Sequence, residues 1–270
     1  MPSHVLIGSG VVPELTALKL RGVQTDAYGE IKGGHKALFD TEQTGETGTL
    51  AAGSKIENLV LGGDQLSVSQ GGFSTTLEDS KGIEFSNSNN NVEWIDLPSV
   101  FDLFSLGEEP SFVLSLWITN KTVSGTGSPA IIGYAYQTTT YCQWSLSHDN
   151  ADNTLALRFS GLKAATVVPI NEPVLLTIYV LRTGPGTYKI DFYNGDQLIA
   201  SHSNKLYPFN DPGGPGVAST RRIGMIGGHT QTWNGIVHRL QLFKVDPETF
   251  DIDQWLADEI ANNSDRFVLP

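Results

Sequence analysis

The residues of this chain best equipped for chemistry are aromatic rings beside amides. Tyr134, Tyr136 and Tyr141 lie in or beside predicted loops, and Trp233 is followed by Asn234 at the mouth of a predicted strand. A pyranose stacks one apolar face on such a ring while its hydroxyls bond to amides and carboxylates, so these five residues are the candidate glycan contacts. Trp233 has a competing role as a plug for the end of a β-sandwich, with Trp233-Asn234-Gly235 as the turn that launches the last strand. On that strand His238 and Arg239 are expected to face solvent or a partner.

Other chemistries lack their residue patterns. Asp149, Asn150, Asp152 and Asn153 miss the glycine and the distal Glu of an EF-hand loop and read as a hairpin tip. His229 and His238 can approach each other, but no third zinc ligand accompanies them. The stretch GSGVVPEL lacks the Lys-Ser/Thr of a phosphate loop, and no G-x-S-x-G elbow occurs. The expectation is a chain with no catalytic residues, no metal and no cofactor.

The candidate residues are carried mostly by strands. SFVLSLWIT (111–119) alternates Phe112, Leu114, Leu116 and Ile118 against Val113, Ser115 and Trp117. PAIIGYAY (129–136), YCQWSLSH (141–148), TLALRFSG and PVLLTIYVLR (173–182) follow with short polar connections. Ile83/Phe85 and Val92/Trp94 read as two strands around an Asn-Ser tract. Asn194-Gly195 predicts a type I′ hairpin, whose two central residues need positive φ. One helix is predicted after Pro247, with Asp251 as N-cap and Gln254 three residues on. Its apolar face is Ile252, Trp255, Leu256 and Ile260, and Asp253, Asp258 and Glu259 are placed on its solvent side.

Composition limits the partners. The 270 residues can bury a large core, and a formal charge of −12 with no large basic cluster argues against nucleic acid. No apolar run is long enough to cross a membrane. Cys142 is the single cysteine, so no intrachain disulfide forms, and beside Trp144 it reads as a buried strand residue. The N-terminus shows no secretory signal pattern, and residues 1–36, broken by glycines and without periodicity, read as an extended arm.

The order of these segments resembles the concanavalin A-like lectin/glucanase superfamily, in its laminin-G-like branch. ALFDTEQTGETG is similar to that branch's opening strand and loop, GIEFSNSNNNVEWIDLP to its aromatic, loop, strand and Pro unit, and IDFYNGDQLIAS to its Asn-Gly hairpin. RRIGMIGGHTQTWNGIVHRLQLF resembles its closing element, but His238 and Arg239 stand where that element carries two acidic residues, so an inherited calcium site is not expected. The Glu-x-Asp-x-Glu triplet of the superfamily's glucanases is missing, since Glu78, Asp79 and Glu84 have the wrong spacing and Asp251 and Asp253 begin a helix. The resemblance implies an all-β, antiparallel jelly-roll sandwich over 37–247, after the arm (1–36) and before a helix and tail (248–270) packed on it.

A catalytically empty lectin-like sandwich behind an extended arm resembles a bacteriophage virion component. The expectation is therefore a non-enzymatic structural subunit, in capsid decoration or tail, that is homo-oligomeric and docks on other virion subunits through the arm. The alternatives are an adhesin for host-surface polysaccharide and, more remotely, a glycoside-active enzyme.

Overall fold

The structure, a computed structural model, describes residues 34–44, 48–60, 62–69, 75–77, 81–85, 94–107, 109–121, 130–135, 142–148, 154–206, 220–224 and 233–267. Apart from 34–36, the predicted arm lies outside these residues. His35 and Lys36 already belong to the first strand, so the sandwich begins slightly before the expected boundary at 37.

Two antiparallel sheets face each other. The nine-stranded sheet runs β15 (Gln197–Leu206), β14 (Thr187–Asn194), β13 (Pro173–Gly184), β8 (Ser111–Asn120), β17 (Gly235–Val245), β6 (Ile83–Phe85), β5 (Thr75–Leu77) and β2 (Gly48–Leu50). Its ninth strand, β1 (His35–Asp40), pairs with β17. The eight-stranded sheet runs β12 (Leu162–Val167), β11 (Thr154–Phe159), β10 (Cys142–His148), β9 (Ala130–Ala135), β16 (Thr220–Ile223), β7 (Ile95–Asp96), β4 (Leu66–Val68) and β3 (Lys55–Ile56). A four-residue helix, α1 (Thr41–Thr44), follows β1, and α2 (Ile252–Asn263) follows the last strand. Neither helix is long and apolar enough to cross a membrane. The expected all-β sandwich with a C-terminal helix is thus the architecture found.

Alternation in the sequence decides which side chains meet between the sheets. Phe112, Leu114, Leu116 and Ile118 of β8 enter the main core with Trp144, Leu146, Leu157 and Phe159 from the opposite sheet. Phe112 and Phe159 meet across the gap at 5.9 Å. The other face of β8 is buried as well, because Val113 and Trp117 join Leu175, Tyr179, Tyr193 and Phe243 in a second cluster with Leu256 of α2 and Phe267. All ten β8 residues are therefore buried.

The helix forms as predicted at its start. Asp251 accepts from the backbone amides of Asp253 and Gln254 at 3.0 and 3.1 Å. The reciprocal half of a capping box is not made, since the Gln254 side chain donates to Asp258 instead. Glu259 is a correction, for it is buried rather than solvent-facing and accepts from Trp117 Nε1 at 2.9 Å.

Two strand expectations are also revised. Ile83–Phe85 and Ile95–Asp96 belong to different sheets, so they are not one hairpin around the Asn-Ser tract, which lies outside the described residues. The β14–β15 hairpin closes on Asn194 paired with Gln197, so Gly195 and Asp196 are its central residues. Gly195 alone of these takes positive φ (59°), the type II′ signature with Gly first, in place of the expected type I′. A hairpin not expected from the sequence joins β11 to β12, with Ser160 and Gly161 both at positive φ, 46° and 79°. Its Ser-Gly pair was the available signal.

Candidate functional site

Of the sequence-predicted contacts, the structure describes Trp233, Asn234 and Tyr134. Trp233 is fully buried in the main core, beside Phe85, and its Nε1 donates to Asn120 Oδ1 at 3.0 Å. No ring face is left for a sugar, so Trp233 is the plug. Gly235 makes this possible, because a Cβ there would lie 2.1 Å from Trp233 Cζ2. Asn234 is half-buried, and its carbonyl accepts from the Lys121 amide at 3.1 Å. Tyr134 is half-buried on the inner side of β9, packs against the core and carries the Arg221 guanidinium 5.3 Å from its ring. Tyr136 and Tyr141 lie outside the described residues, as do His229 and the 149–153 turn, and the Cys142 side chain is not described.

His238 and Arg239 are the largest correction. Both are buried, at 1% exposure, rather than facing solvent. Pairing between β17 and β8 slips between Val237 and Arg239, and Val237 and Leu240 both point into the main core. This β-bulge turns both intervening side chains to the outer face, where α2 and the residues after it cover them. His238 bonds Lys81 O through Nδ1 (2.7 Å) and Thr119 Oγ1 through Nε2 (2.8 Å), and stacks on Phe267 at 4.9 Å.

Arg239 is the centre of a buried ionic cluster. Its Nη1 bonds Asp40 Oδ2 at 2.7 Å, and its Nε lies 3.1 Å from Glu259 Oε1, an ion-pair contact without hydrogen-bond alignment. Arg266 bonds both Asp40 oxygens and Glu42. Burial alone would push the Asp40 carboxyl up, but Arg239 and Arg266 more than offset it and hold it below the usual carboxylate range. These groups tie β1 and β17 to the C-terminal segment. They are fully used in closing the fold and leave this face of the nine-stranded sheet covered.

The outer face of the eight-stranded sheet is built differently. One cross-strand row passes through every strand: Lys163 opposite Arg158, Arg158 opposite Ser145, Ser145 opposite Gly133, and Gly133 opposite Arg222. It continues from Arg222 to Asp96, then Ser67, then Lys55. Their chain neighbours Leu157, Phe159, Trp144, Leu146, Ile132, Ile223, Ile95, Leu66, Val68 and Ile56 all point into the core. By the two-residue repeat of a strand, the row itself points outward.

The row has four cations and one anion in a chain of 17 basic and 29 acidic residues. Lys163 and Lys55 are exposed, and Arg222 and Asp96 are half-exposed. Arg222 bonds Asp96 through Nε at 3.2 Å and lies 4.6 Å above the Trp94 ring. Between Arg158 and Arg222 stand Ser145 and Gly133, both buried, the latter so close to its neighbour that a Cβ would lie 2.5 Å from Trp144 O. Ser147, on the same face beside Ala156, is buried at 1%, and its hydroxyl has no partner among the described residues. The sequence reading missed this row, since its members lie far apart in the chain and only strand register aligns them.

No three His, Cys, Asp or Glu side chains gather to hold a metal among the described residues.

No family model and no curated protein matches this sequence. Solved structures match in fold. The chain is similar to Trypanosoma rangeli sialidase, with TM-score 0.55 and 11% identity over 86% of this chain and 34% of that one. It is similar to the same enzyme in complex with sialic acid, with TM-score 0.57 and 11% identity over 92% and 37%. It also matches the binding domain of botulinum neurotoxin serotype C1, with TM-score 0.50 and 14% identity over 83% and 51%. At these identities the likeness shows the fold, and the chain spans about a third of the sialidase and about half of the toxin structure. The expectation of a non-enzymatic chain is overturned, because the matched structures include sialidases. A missing catalytic sequence pattern is therefore no argument against activity. The virion reading draws no support from these structures. What the comparisons establish is the fold, an antiparallel β-sandwich.

Proposed function

We propose that this chain binds a glycan on the outer face of its eight-stranded sheet. The observation that carries the reading is the cross-strand row, in which the exposed Lys55 and Lys163 and the half-exposed Arg158, Arg222 and Asp96 set hydrogen-bonding side chains in one line on this face. A sugar chain needs donors and acceptors along its length to replace water. The opposite outer face is covered by α2, which leaves this face as the better candidate. Support comes also from the neighbours, one of which is a sialidase in complex with sialic acid and another a toxin's binding domain.

The test is binding of the full chain to a broad glycan panel, repeated with Ala165→Trp. Ala165 is exposed on the same outer face as Lys163, so an indole there crowds the end of the row without entering the core. Binding by the parent chain and its loss in the variant, at unchanged melting temperature, is the expected result. Binding that survives the substitution would place the glycan elsewhere, and no binding across the panel would remove the reading.

A further inference from the structure

We infer that the chain forms a two-fold dimer through β12, whose outer edge pairs antiparallel with the same strand of a second copy. β12 ends the eight-stranded sheet, so one side of its backbone pairs with β11 and the other meets no strand among the described residues. The unpaired amides and carbonyls of such an edge are a template for another strand, and proteins that stay monomeric blunt it. The other terminal strands here are blunted. β2 and β3 are only three and two residues long, β15 pairs with β14 through two irregularities, and the backbone of Leu38 in β1 bonds Asn58 and Leu59. β12 differs from all of these, since LKAATV has six residues, no proline and an unbroken register with β11.

Apolar exposure gathers at the same corner. Among the described residues three large apolar side chains reach solvent, and Val167 of β12, 68% exposed, does so most. Ile170 follows three residues later in the connection to β13. Leu198 lies just after the β14–β15 turn, which is tied to β12 by Asn194 Nδ2 donating to Thr166 Oγ1 at 2.9 Å. Covering such groups favours association.

Charge selects a second copy as the occupant. The start of β12 is basic, with Lys163 opposite Arg158. Its finish is acidic, with Asp196 exposed in the turn whose Asn194 bonds Thr166, and Glu172 exposed in the connection to β13. Antiparallel pairing of the strand with itself sets each basic start against the partner's acidic finish, twice in one interface. Directly opposite residues share a face, so the exposed Lys163, Ala165 and Val167 meet their own kind across the junction. With the two-fold axis at Ala165, Lys163 lies opposite the partner's Val167, its methylenes on the valine and its ammonium toward the partner's Asp196. A register with Lys163 opposite itself would oppose like charges. The chosen pairing also keeps both outer faces on one side of the joined sheet, where two binding rows can engage one long ligand.

The experiment is sedimentation equilibrium of the full chain over a range of concentrations, with the melting temperature as a check on folding. A monomer–dimer equilibrium is expected. Val167→Lys alters a side chain already in solvent and sets a lysine opposite Lys163 of the partner subunit, so it should weaken dimerisation by about tenfold or more. Adding Lys163→Glu to Val167→Lys makes opposite-charge pairs at both ends and should recover the dimer, which a merely local disturbance of β12 would not do. A chain that stays monomeric at every concentration would overturn the inference and leave this edge to a strand of another protein. A dimer that Val167→Lys does not weaken has its interface elsewhere and would overturn it too, as would a weakened dimer that the double variant fails to recover. Sedimentation needs no glycan, so either result stands apart from the glycan reading.

Discussion

Arg239 is completely buried and still charged, which is stable only because Asp40 and Glu259 are buried with it. Such a cluster adds little net stability over an apolar one, yet breaking it is costly, since removing one partner strands the others without water. Arg239→Met is therefore expected to destabilise the fold by about 3–5 kcal/mol, measured by denaturant unfolding. A loss under about 1 kcal/mol, the worth of an exposed ion pair, would show that these groups are hydrated. Residue types alone pointed the other way. His and Arg in a strand usually reach solvent, and only the bulge after Val237, with Phe267 and α2 above it, buries them.

At the scale of elements, α2 is the piece that turns a one-faced sheet into a buried layer. Its docking side was legible in the spacing of Ile252, Trp255, Leu256 and Ile260, all of which pack against the second cluster. Its cap was legible too. Asp251 satisfies two backbone donors that would otherwise be unmet, so Asp251→Ala should cost about 1 kcal/mol. An unchanged unfolding midpoint would mean that tertiary packing alone sets the helix start. Strand existence was legible from alternation, as for β8 and β13, but sheet membership was not. Ile83–Phe85 and Ile95–Asp96 are close in sequence and lie in opposite sheets because the pattern of a strand says nothing about its partner.

At the scale of the molecule, stability should fall with acidity in two separate windows. Burial holds the His148 imidazole below its usual value of 6.5, so below about that pH the unfolded chain takes a proton that the fold refuses. Asp40 acts lower. Its folded carboxyl titrates below 3.8, so its stabilisation is present above that value and is lost as pH falls through the folded one. His148 Nε2 is buried without a partner among the described residues, so His148→Leu should fold at least as well and flatten the upper window while leaving the lower one. An identical pH profile for variant and parent would sink this assignment. The same large-scale view separates the two outer faces, one closed by α2 and one carrying the basic row.

By itself the sequence determined the fold class, the main strands, the capped helix and the presence of a turn at Gly195, though not its type, because each follows from local periodicity or from residues suited to a turn. It also left Trp233 open between plug and sugar contact, since both need an aromatic ring before a glycine. Tertiary structure decided that question by burial. It alone decided the rest of the candidate site. Lys55, Arg158, Lys163 and Arg222 are scattered through the chain, and nothing but the register of eight paired strands sets them in line. Register is a property of pairs of segments, whereas propensity and periodicity belong to one segment at a time.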